Sequence, residues 1–236
     1  MDKAIAATNQ FYSLRDPEHV YPVEFVVRSL LGSYPNLNLD KSRFAGSRIL
    51  DLGYGDGRNM PLLHDLRFEV YGVEISDEIN ALANRRLQKL GVKASLAKGR
   101  NANIPFPDDY FQYLLACHSC YYIDDGTTFG TNLLEISRVL VPEGIFICSL
   151  PMDDIYILRN AEVMPGGYYR ITDDPYQWRN GTVFRAFSSR EEILGDFTEL
   201  FEDIRIGFCD DDFFGIRQKV WIVVCKKKQL HQGSSM

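Results

Sequence analysis

The sequence predicts an α/β fold in which helices cover both faces of a doubly wound, mostly parallel sheet. From Arg48 onwards, strand-like apolar runs alternate with amphipathic helix-like runs, a pattern that builds parallel sheets. A glycine-rich turn directly follows the first of these strands. Near the C-terminus, two apolar runs at residues 201–209 and 219–227 flank the turn-rich stretch DDDFFGIRQ, which predicts an antiparallel pair at one edge of the sheet.

The predicted elements follow in chain order. Two helices, at residues 2–12 and 23–32, precede the sheet. The predicted strands are 48–53, 69–74, 92–97, 111–117 and 144–150, and the helices between them are 58–66, 77–90 and 127–140. In a sheet of this kind ligands bind beyond the carboxyl ends of the strands, so the residues that follow each strand are the first candidates for a site.

Composition narrows the class of protein. The 236 residues are 45% apolar and 25% charged, which is typical of one globular domain rather than of a disordered or fibrous chain. A net charge of −6 disfavours a nucleic-acid partner, because phosphate binding needs clustered Lys and Arg. We find neither an apolar run of about 18 residues nor a signal-peptide core, so we predict a cytoplasmic protein with no membrane association.

The five cysteines are predicted to be reduced thiols in the core. Cys117 and Cys120 have the spacing of a metal-binding pair, but no second Cys or His pair lies near them in sequence. We therefore predict no metal site.

The turn after the first strand carries the most specific signal. Residues 48–57 read RILDLGYGDG, so three glycines, Gly53, Gly55 and Gly57, stand at alternate positions. They let the backbone turn sharply and approach a ligand. Arg58 occupies the position at which the dinucleotide fingerprint G-x-G-x-x-G requires its last glycine. Asp51, two residues before the first glycine, suits an ammonium or hydroxyl group and would repel a pyrophosphate.

A second acidic residue supports a nucleoside ligand. Residues 68–75 read as a buried strand that closes near Glu74, 23 positions after Asp51. A carboxylate at the tip of the neighbouring strand can accept hydrogen bonds from both ribose hydroxyls. NAD-binding folds share this feature, so Glu74 alone does not choose the cofactor.

Three segments together resemble one family. DLGYGDG resembles motif I of the class I methyltransferases that use S-adenosylmethionine (SAM). Residues 99–120 resemble the family pattern G-x-D-A-x-x-L-P-F-P-D-x-x-F-D and the strand that follows it, and residues 137–151 resemble R-V-L-x-P-G-G. The resemblance covers about residues 48–151. Asn101, Gln112 and Glu143 depart from it, because the family has two acidic residues and a glycine there.

The resemblance implies a seven-stranded sheet, SAM as cofactor, S-adenosylhomocysteine as product and a small-molecule acceptor. It implies one domain at residues 1–236, with a helical cap at 1–45, a cofactor-binding core at 46–151, a substrate-side insertion at 152–190, and a last helix and strand pair at 191–236. The residues predicted to bind the cofactor are Asp51, Gly53, Tyr54, Gly55, Gly57, Asn59, Glu74, Ile75, Asn101, Ala102 and Cys117.

The acceptor pocket is predicted from the flanking segments. The insertion is too long for a simple connection, and long loops at the ligand end of a sheet usually form a lid or pocket. Its aromatic residues supply shape and its arginines can hold a carboxylate or phosphate. A surface excursion or an oligomer contact is the alternative. The predicted substrate residues are Tyr12, Tyr21, Arg28, Tyr122, Tyr169, Arg170, Trp178 and Arg179, and the cap adds Phe11, His19 and Tyr34 as candidates.

His118 is the predicted catalytic residue, because it follows the fourth predicted strand, near the place where the family positions the transferred methyl. An imidazole can remove a proton from a hydroxyl or amine near neutral pH. The alternative is a histidine that only packs beneath the cofactor loop. Nearby, Cys-His-Ser-Cys replaces the Pro-Pro motif of many nucleic-acid and protein amine methyltransferases, which favours a small, polar or anionic metabolite methylated on oxygen or nitrogen.

Two other classes of function stay open at this point. One is a nucleotide-dependent oxidoreductase, although Arg58 and the C-terminal strand pair count against it. The other is a non-catalytic SAM-binding subunit. The sequence does not choose between a monomer and a homodimer.

Overall fold

The computed structural model describes residues 3–14 and 21–229. Its main sheet has seven strands, and among the described residues six α-helices accompany it. The strands of this sheet are β1 (Arg48–Leu52), β2 (Glu69–Glu74), β3 (Ala94–Lys98), β4 (Phe111–Ala116), β6 (Leu140–Pro151), β10 (Phe201–Phe213) and β11 (Ile216–Lys227). The helices are α1 (Lys3–Ser13), α2 (Glu24–Leu31), α3 (Met60–Asp65), α4 (Asp77–Lys89), α5 (Phe129–Val139) and α6 (Arg190–Phe197).

The strand order is β10-β11-β6-β4-β1-β2-β3. Strands β3, β2, β1, β4 and β6 run parallel, and β11 and β10 add antiparallel to β6 at one edge. The predicted fold class is therefore confirmed. The chain order reverses beside β1, so the carboxyl ends of β1, β2 and β4 form a crevice that can hold a ligand.

Alternating side chains along the strands build a core on each face of the sheet. Leu50 and Phe146 point to one face, where they pack with Phe197 and Phe201. Ile49, Leu115 and Ile147 point to the other face and pack beneath the helices of the cap and α4. Because both faces of these strands are buried, their side chains are apolar along most of each strand, which matches the apolar runs of the sequence.

Polar side chains set where the helices begin. The Ser76 hydroxyl accepts a hydrogen bond from the Ile79 backbone N–H at 3.1 Å at the start of α4, and Thr128 begins α5 with a reciprocal capping box. Such caps satisfy backbone donors that the first turn leaves free. Ser76 directly follows Glu74 and Ile75, so the cap also fixes the segment at the tip of β2.

The C-terminal strands are longer than predicted. Most of the stretch expected to be a loop continues the hairpin, because Asp210 binds Arg217 through two hydrogen bonds of 2.9 and 2.8 Å across the pair. Only Phe214 and Gly215 form the turn, and both have positive φ, as a tight hairpin requires.

Three short strands of the insertion and one strand that directly follows β4 form a second sheet that the sequence does not predict. Its strands are β5 (Tyr122–Ile123), β7 (Glu162–Met164), β8 (Tyr168–Arg170) and β9 (Val183–Arg185), in the order β5-β9-β8-β7. Each strand has only two or three residues, too few to show a period in the sequence. Because β5 lies just after β4, the pairing of Tyr122 with Phe184 places the insertion at the carboxyl ends of the main strands.

Candidate functional site

A cavity of about 630 Å³ lies at the carboxyl ends of β1, β2 and β4. Its walls come from α1, the glycine-rich loop at residues 53–59, the tip of β2, residues 117–125 and the insertion. The parallel sheet thus brings together segments that are far apart in the sequence, as its topology requires.

The glycine-rich loop has the backbone that only glycine adopts without strain. Gly53, Gly55 and Gly57 all have positive φ, between 58° and 75°. A Cβ on Gly53 would lie less than 3.0 Å from the Cβ of Ser119, and one on Gly55 would lie less than 3.0 Å from the Tyr12 hydroxyl. The loop is therefore closely packed between residue 119 and the cap helix α1, and Gly53 borders the cavity.

Asp51 lies on β1 directly before the cavity-lining residues Leu52 and Gly53, and it is not itself part of the cavity wall. Its side chain is fully buried, and neither carboxylate oxygen has a hydrogen-bond partner among the described residues. Burial, reinforced by the nearby Glu74 and Asp56 carboxylates, raises the pKa of Asp51 to about 8, and the neighbouring Asn59 side chain only partly opposes this rise. A buried, unpaired carboxylate beneath a glycine-rich loop fits a cationic ligand group, such as the ammonium of the methionine part of SAM.

Glu74 is held at the tip of β2 by two backbone groups. Its Oε1 accepts a hydrogen bond from the Gly55 N–H at 2.9 Å, and its Oε2 accepts one from the Ile75 N–H at 2.8 Å. Burial raises the pKa of this carboxyl as well, and these two bonds oppose the rise. Both oxygens keep lone pairs for the two hydroxyls of a ribose, so Glu74 fits the nucleoside end of SAM.

The other predicted cofactor residues differ in how they contribute to the cavity. Asn59 is buried and accepts a hydrogen bond from the Val23 N–H at 3.0 Å, which ties the loop to the start of α2. Tyr54 borders the cavity, but its hydroxyl donates to Asn80 on α4. Ile75 and Cys117 also line the cavity. Burial raises the pKa of the Cys117 thiol, which keeps it protonated.

The hydrogen bonds of Asn101 account for the asparagine at a position where the family has an aspartate. Its Nδ2 donates hydrogen bonds to the backbone carbonyls of Ser119, at 2.8 Å, and Tyr122, at 3.2 Å. A carboxylate at this position could not donate either bond. Asn101 borders the cavity and fixes the segment that carries His118, whereas Ala102 does not reach the cavity wall.

His118 lies directly beyond β4, in a strained conformation with φ of 56°. Its backbone N–H donates to Ser149 Oγ at 2.9 Å, its Nδ1 is 3.0 Å from the same oxygen, and Phe25 contacts the ring edge-on with centroids 5.5 Å apart. Burial, with the positive charges of Arg179 and Arg58, lowers the pKa of His118 to about 4. The imidazole is therefore neutral at pH 7.

The insertion contributes a buried charge cluster that the sequence does not reveal. Asp174 is buried and accepts hydrogen bonds from the backbone N–H groups of Trp178 and Arg179 and from Arg179 Nε, at 3.0–3.3 Å. Arg179 also donates to the Tyr156 hydroxyl at 3.0 Å. The only sequence signal is the Asp-Pro pair at 174–175, which is typical of turns that an Asp side chain organises.

The predicted substrate residues separate into two groups. Tyr12, Tyr122, Trp178 and Arg179 line the cavity. The remaining four do not, and two of them are paired elsewhere: Arg28 with Glu24 at 2.6 Å and Arg170 with Glu162 at 3.4 Å. The Tyr21 side chain is 70% exposed, although its carbonyl accepts from Arg58 Nε, and Tyr169 packs against the core from β8.

The other substrate candidates of the cap also differ in whether they reach the cavity. Phe11 lines the cavity, Tyr34 lies outside it, and His19 lies outside the described residues. Arg58, which the sequence does not single out as a binding residue, lines the cavity beside the glycine-rich loop.

Aromatic contacts join the cap to the insertion across the cavity. The Phe11 and Trp178 rings stack with centroids 4.7 Å apart, and the Arg179 guanidinium lies over the Trp178 ring at 4.7 Å. Stacked pairs of this kind contribute about 0.5–1.5 kcal/mol. The contact therefore holds α1 against the insertion and partly closes the cavity.

We predict that Trp178→Ala will release α1 from the insertion. Amide hydrogen exchange in α1 should accelerate about 2- to 10-fold, which corresponds to the loss of one aromatic pair. Tyr176→Ala is the matched control, since Tyr176 is 55% exposed on the same loop and should leave exchange in α1 unchanged. Equal exchange rates in the Trp178 variant and the parent would contradict the role of this contact.

The fold is that of the class I methyltransferases, and the cavity has a glycine-rich loop, a buried acid beneath that loop and a second acid on the neighbouring strand. The sequence profile of a methyltransferase domain matches residues 50–148. Over this span the chain is therefore similar to a methyltransferase domain.

The chain is also similar to curated methyltransferases and to solved structures. The chain is 23% identical over 146 residues to the putative methyltransferase YqeM of Bacillus subtilis, a match that covers 62% of this chain and 56% of that protein. It is 26% identical over 174 residues to a probable SAM-dependent methyltransferase of Mycolicibacterium smegmatis, covering 74% and 56%. The chain thus spans little more than half the length of these relatives.

A solved SAM-dependent methyltransferase from Methanosarcina mazei superposes with a TM-score of 0.65 at 16% identity, over 89% of this chain and 99% of that one. At this identity the likeness shows the fold alone. Among the described residues, no helix is long and apolar enough to cross a membrane.

Proposed function

We propose that the protein transfers a methyl group from SAM to a small polar or anionic molecule, on oxygen or nitrogen. The observation that carries this proposal is Asp51, a buried carboxylate without a partner beneath the glycine-rich loop. A cationic ligand would relieve its unfavourable burial, whereas the pyrophosphate of a dinucleotide would oppose it.

Most of the predicted cofactor-binding residues line the cavity, whereas Asp51, Gly55, Gly57 and Ala102 lie behind its wall. Asp51 would face the ammonium of the methionine part, the loop from Gly53 to Asn59 would pack against the ligand, and Glu74 would hold the ribose. Asn101, Ile75 and Cys117 would border the nucleoside. When bound, SAM supplies an electrophilic methyl on a good leaving group, so the protein mainly has to position the acceptor and exclude water.

The acceptor side supports a small molecule. Tyr122, Phe184 and Tyr156 form an aromatic wall next to Arg179, inside a cavity that the cap helix and the insertion partly close. A net charge of −6 does not favour nucleic acid. We keep the cytoplasm as the expected location, and the division of the chain into cap, core and insertion as an expectation.

Ligand-induced stabilisation tests the proposal. SAM or S-adenosylhomocysteine at 100 times its Kd should stabilise the protein by about 2.7 kcal/mol, seen as a rise in Tm, and NADH should not. Stabilisation by NADH alone would replace the proposal with an oxidoreductase. If SAM binds but no S-adenosylhomocysteine forms with a broad metabolite set, the protein is a SAM-binding subunit.

We predict that Glu74→Gln will weaken SAM binding about 10- to 100-fold. The amide can accept at only one atom, so the ribose loses a charged hydrogen bond. Isothermal titration calorimetry measures the change. Glu69→Gln is the matched control, since Glu69 is exposed at the opposite end of the same strand and should bind SAM like the parent. Equal affinities for the two variants would remove Glu74 from the site.

A further inference from the structure

The contact between Ser149 and His118 fixes more than the position of the imidazole. Ser149 is fully buried on β6, and its hydroxyl oxygen has two hydrogen-bond partners among the described residues, the backbone N–H of His118 and the Nδ1 of the same residue. The backbone N–H uses a lone pair of the oxygen. In the part of the chain that the structure describes, the hydroxyl proton then has one acceptor within hydrogen-bond distance, which is Nδ1.

This arrangement selects one tautomer of the neutral ring. If Nδ1 accepts the hydroxyl proton, the ring proton lies on Nε2. The opposite tautomer would leave the buried hydroxyl of Ser149 without an acceptor, which is unfavourable. Nε2 has no partner among the described residues, and the ring lines the cavity, so Nε2 can present its N–H to a ligand.

The surroundings keep His118 in this state. The positive charges of Arg179 and Arg58, together with burial, disfavour protonation of the ring. Phe25 contacts the ring edge-on and limits its rotation. A neutral ring that donates from Nε2 cannot take a proton there, so the geometry does not suit the role of general base that the sequence predicts for His118.

We propose that Ser149 is a positioning residue that holds His118 as an Nε2–H donor, and that the acceptor molecule presents an anionic oxygen, as in a carboxylate or an acidic hydroxyl. This inference rests on the proposed function and names its substrate class. The aromatic wall formed by Tyr122, Phe184 and Tyr156 favours an aromatic acid.

Transfer of the methyl group to a carboxylate needs no base to remove a proton. One oxygen of a carboxylate can accept from His118 Nε2–H while the other uses a lone pair to form the new O–C bond. The C–S bond of the sulfonium breaks, and its electron pair stays on sulfur. The negative charge of the acceptor and the positive charge of the sulfonium cancel, so no proton has to leave.

Nitrogen NMR of histidine tests the tautomer without any assay of activity. The chain has four histidines, and the signal that disappears in His118→Gln identifies His118. At pH 7 its Nε2 should be protonated and its Nδ1 should not be. In Ser149→Ala this preference should be lost. Ser137→Ala, which removes another buried hydroxyl, on α5, should keep it. A proton on Nδ1 in the parent would overturn the inference.

Binding of small probes tests the substrate class. In protein loaded with S-adenosylhomocysteine, benzoate should shift the His118 Nε2–H signal and benzylamine should not. His118→Ala should weaken benzoate binding about tenfold or more, and His118→Gln, whose amide can donate near the position of Nε2, should keep it within about threefold. A response to benzylamine alone, or equal losses in the two variants, would overturn the inference.

The two proposals can fail separately. If calorimetry shows no binding of SAM or S-adenosylhomocysteine, the proposed function fails, while the tautomer of His118 is still decided on the protein alone. If SAM binds and the proton lies on Nδ1, the proposed function stands and the role of Ser149 is wrong.

Discussion

Asp51→Asn is expected to weaken SAM binding about 10- to 100-fold and to make the ligand-free protein more stable near pH 8. The affinity should fall because the ammonium of the ligand loses a charged partner in a buried site. Stability should rise because the parent buries a carboxylate whose oxygens have no hydrogen-bond partner among the described residues.

The pH dependence gives this expectation a definite sign. The pKa of Asp51 is raised from 3.8 in the unfolded chain to about 8 in the folded protein. Between these values the folded state binds more protons than the unfolded state, so the free energy of unfolding falls as the pH rises. The slope from this group approaches about 1.4 kcal/mol per pH unit and ends above pH 8.

Denaturant unfolding at pH 5 and pH 8 measures this contribution. The parent should lose a few kcal/mol between the two pH values, and Asp51→Asn should lose much less. SAM should bind the parent more tightly as the pH rises towards 8, since its ammonium favours the ionised carboxylate. Asp65→Asn, at a side chain that is 80% exposed, is the control. The same pH slope in parent and Asp51→Asn would contradict the unpaired buried carboxylate.

The sequence predicts the cofactor side of the site well, because these residues follow directly from the order of strands along the chain. Asp51 and the three glycines follow a buried strand, and Glu74 ends the next one, so parallel pairing alone brings them to the same edge of the sheet. The register of β1 and β2 places Asp51 opposite Gly72, two residues before Glu74. No distant contact is needed to infer that these carboxylates lie near one another.

The acceptor side depends on contacts that no local pattern encodes. Ser149 meets His118 because β4 and β6 are neighbours, with Ala116 opposite Cys148, although 31 residues separate the two partners in the chain. The three strands of the insertion have only three residues each, too few to show a period in the sequence. Asp174 organises a turn whose position over the cavity is set by the pairing of Tyr122 with Phe184.

On the acceptor side, residue type alone does not identify the residues that line the cavity. Tyr21, Arg28, Tyr169 and Arg170 are as aromatic or basic as the residues that line the cavity, yet their side chains lie elsewhere. Arg28 and Arg170 have acidic partners on the same helix and on the adjacent strand, which the spacing of Arg28 and Glu24 could have indicated. Arg179 differs because a buried carboxylate holds it in the cavity wall.

Gly53→Ala has the second large expected effect, a loss of about 2–5 kcal/mol in the free energy of unfolding together with a loss of SAM affinity of tenfold or more. Two terms add: about 1–2 kcal/mol for a side chain at φ of 68°, and about 1–3 kcal/mol for overpacking against the Cβ of Ser119. SAM binding should suffer because relief of the clash moves either the loop or the residue next to His118.

Gly91→Ala separates the conformational cost of a side chain at positive φ from the cost of overpacking. Gly91 has nearly the same φ, 69°, but no atom lies within 4 Å of the position that its Cβ would take. It should therefore lose only the conformational term of about 1–2 kcal/mol and bind SAM like the parent. Denaturant unfolding and calorimetry on the two variants give the comparison. Equal stability losses with unchanged SAM affinity would mean that the loop at Gly53 is an ordinary tight turn, whereas a loss of affinity confined to Gly53→Ala would tie its packing against Ser119 to the binding of the cofactor.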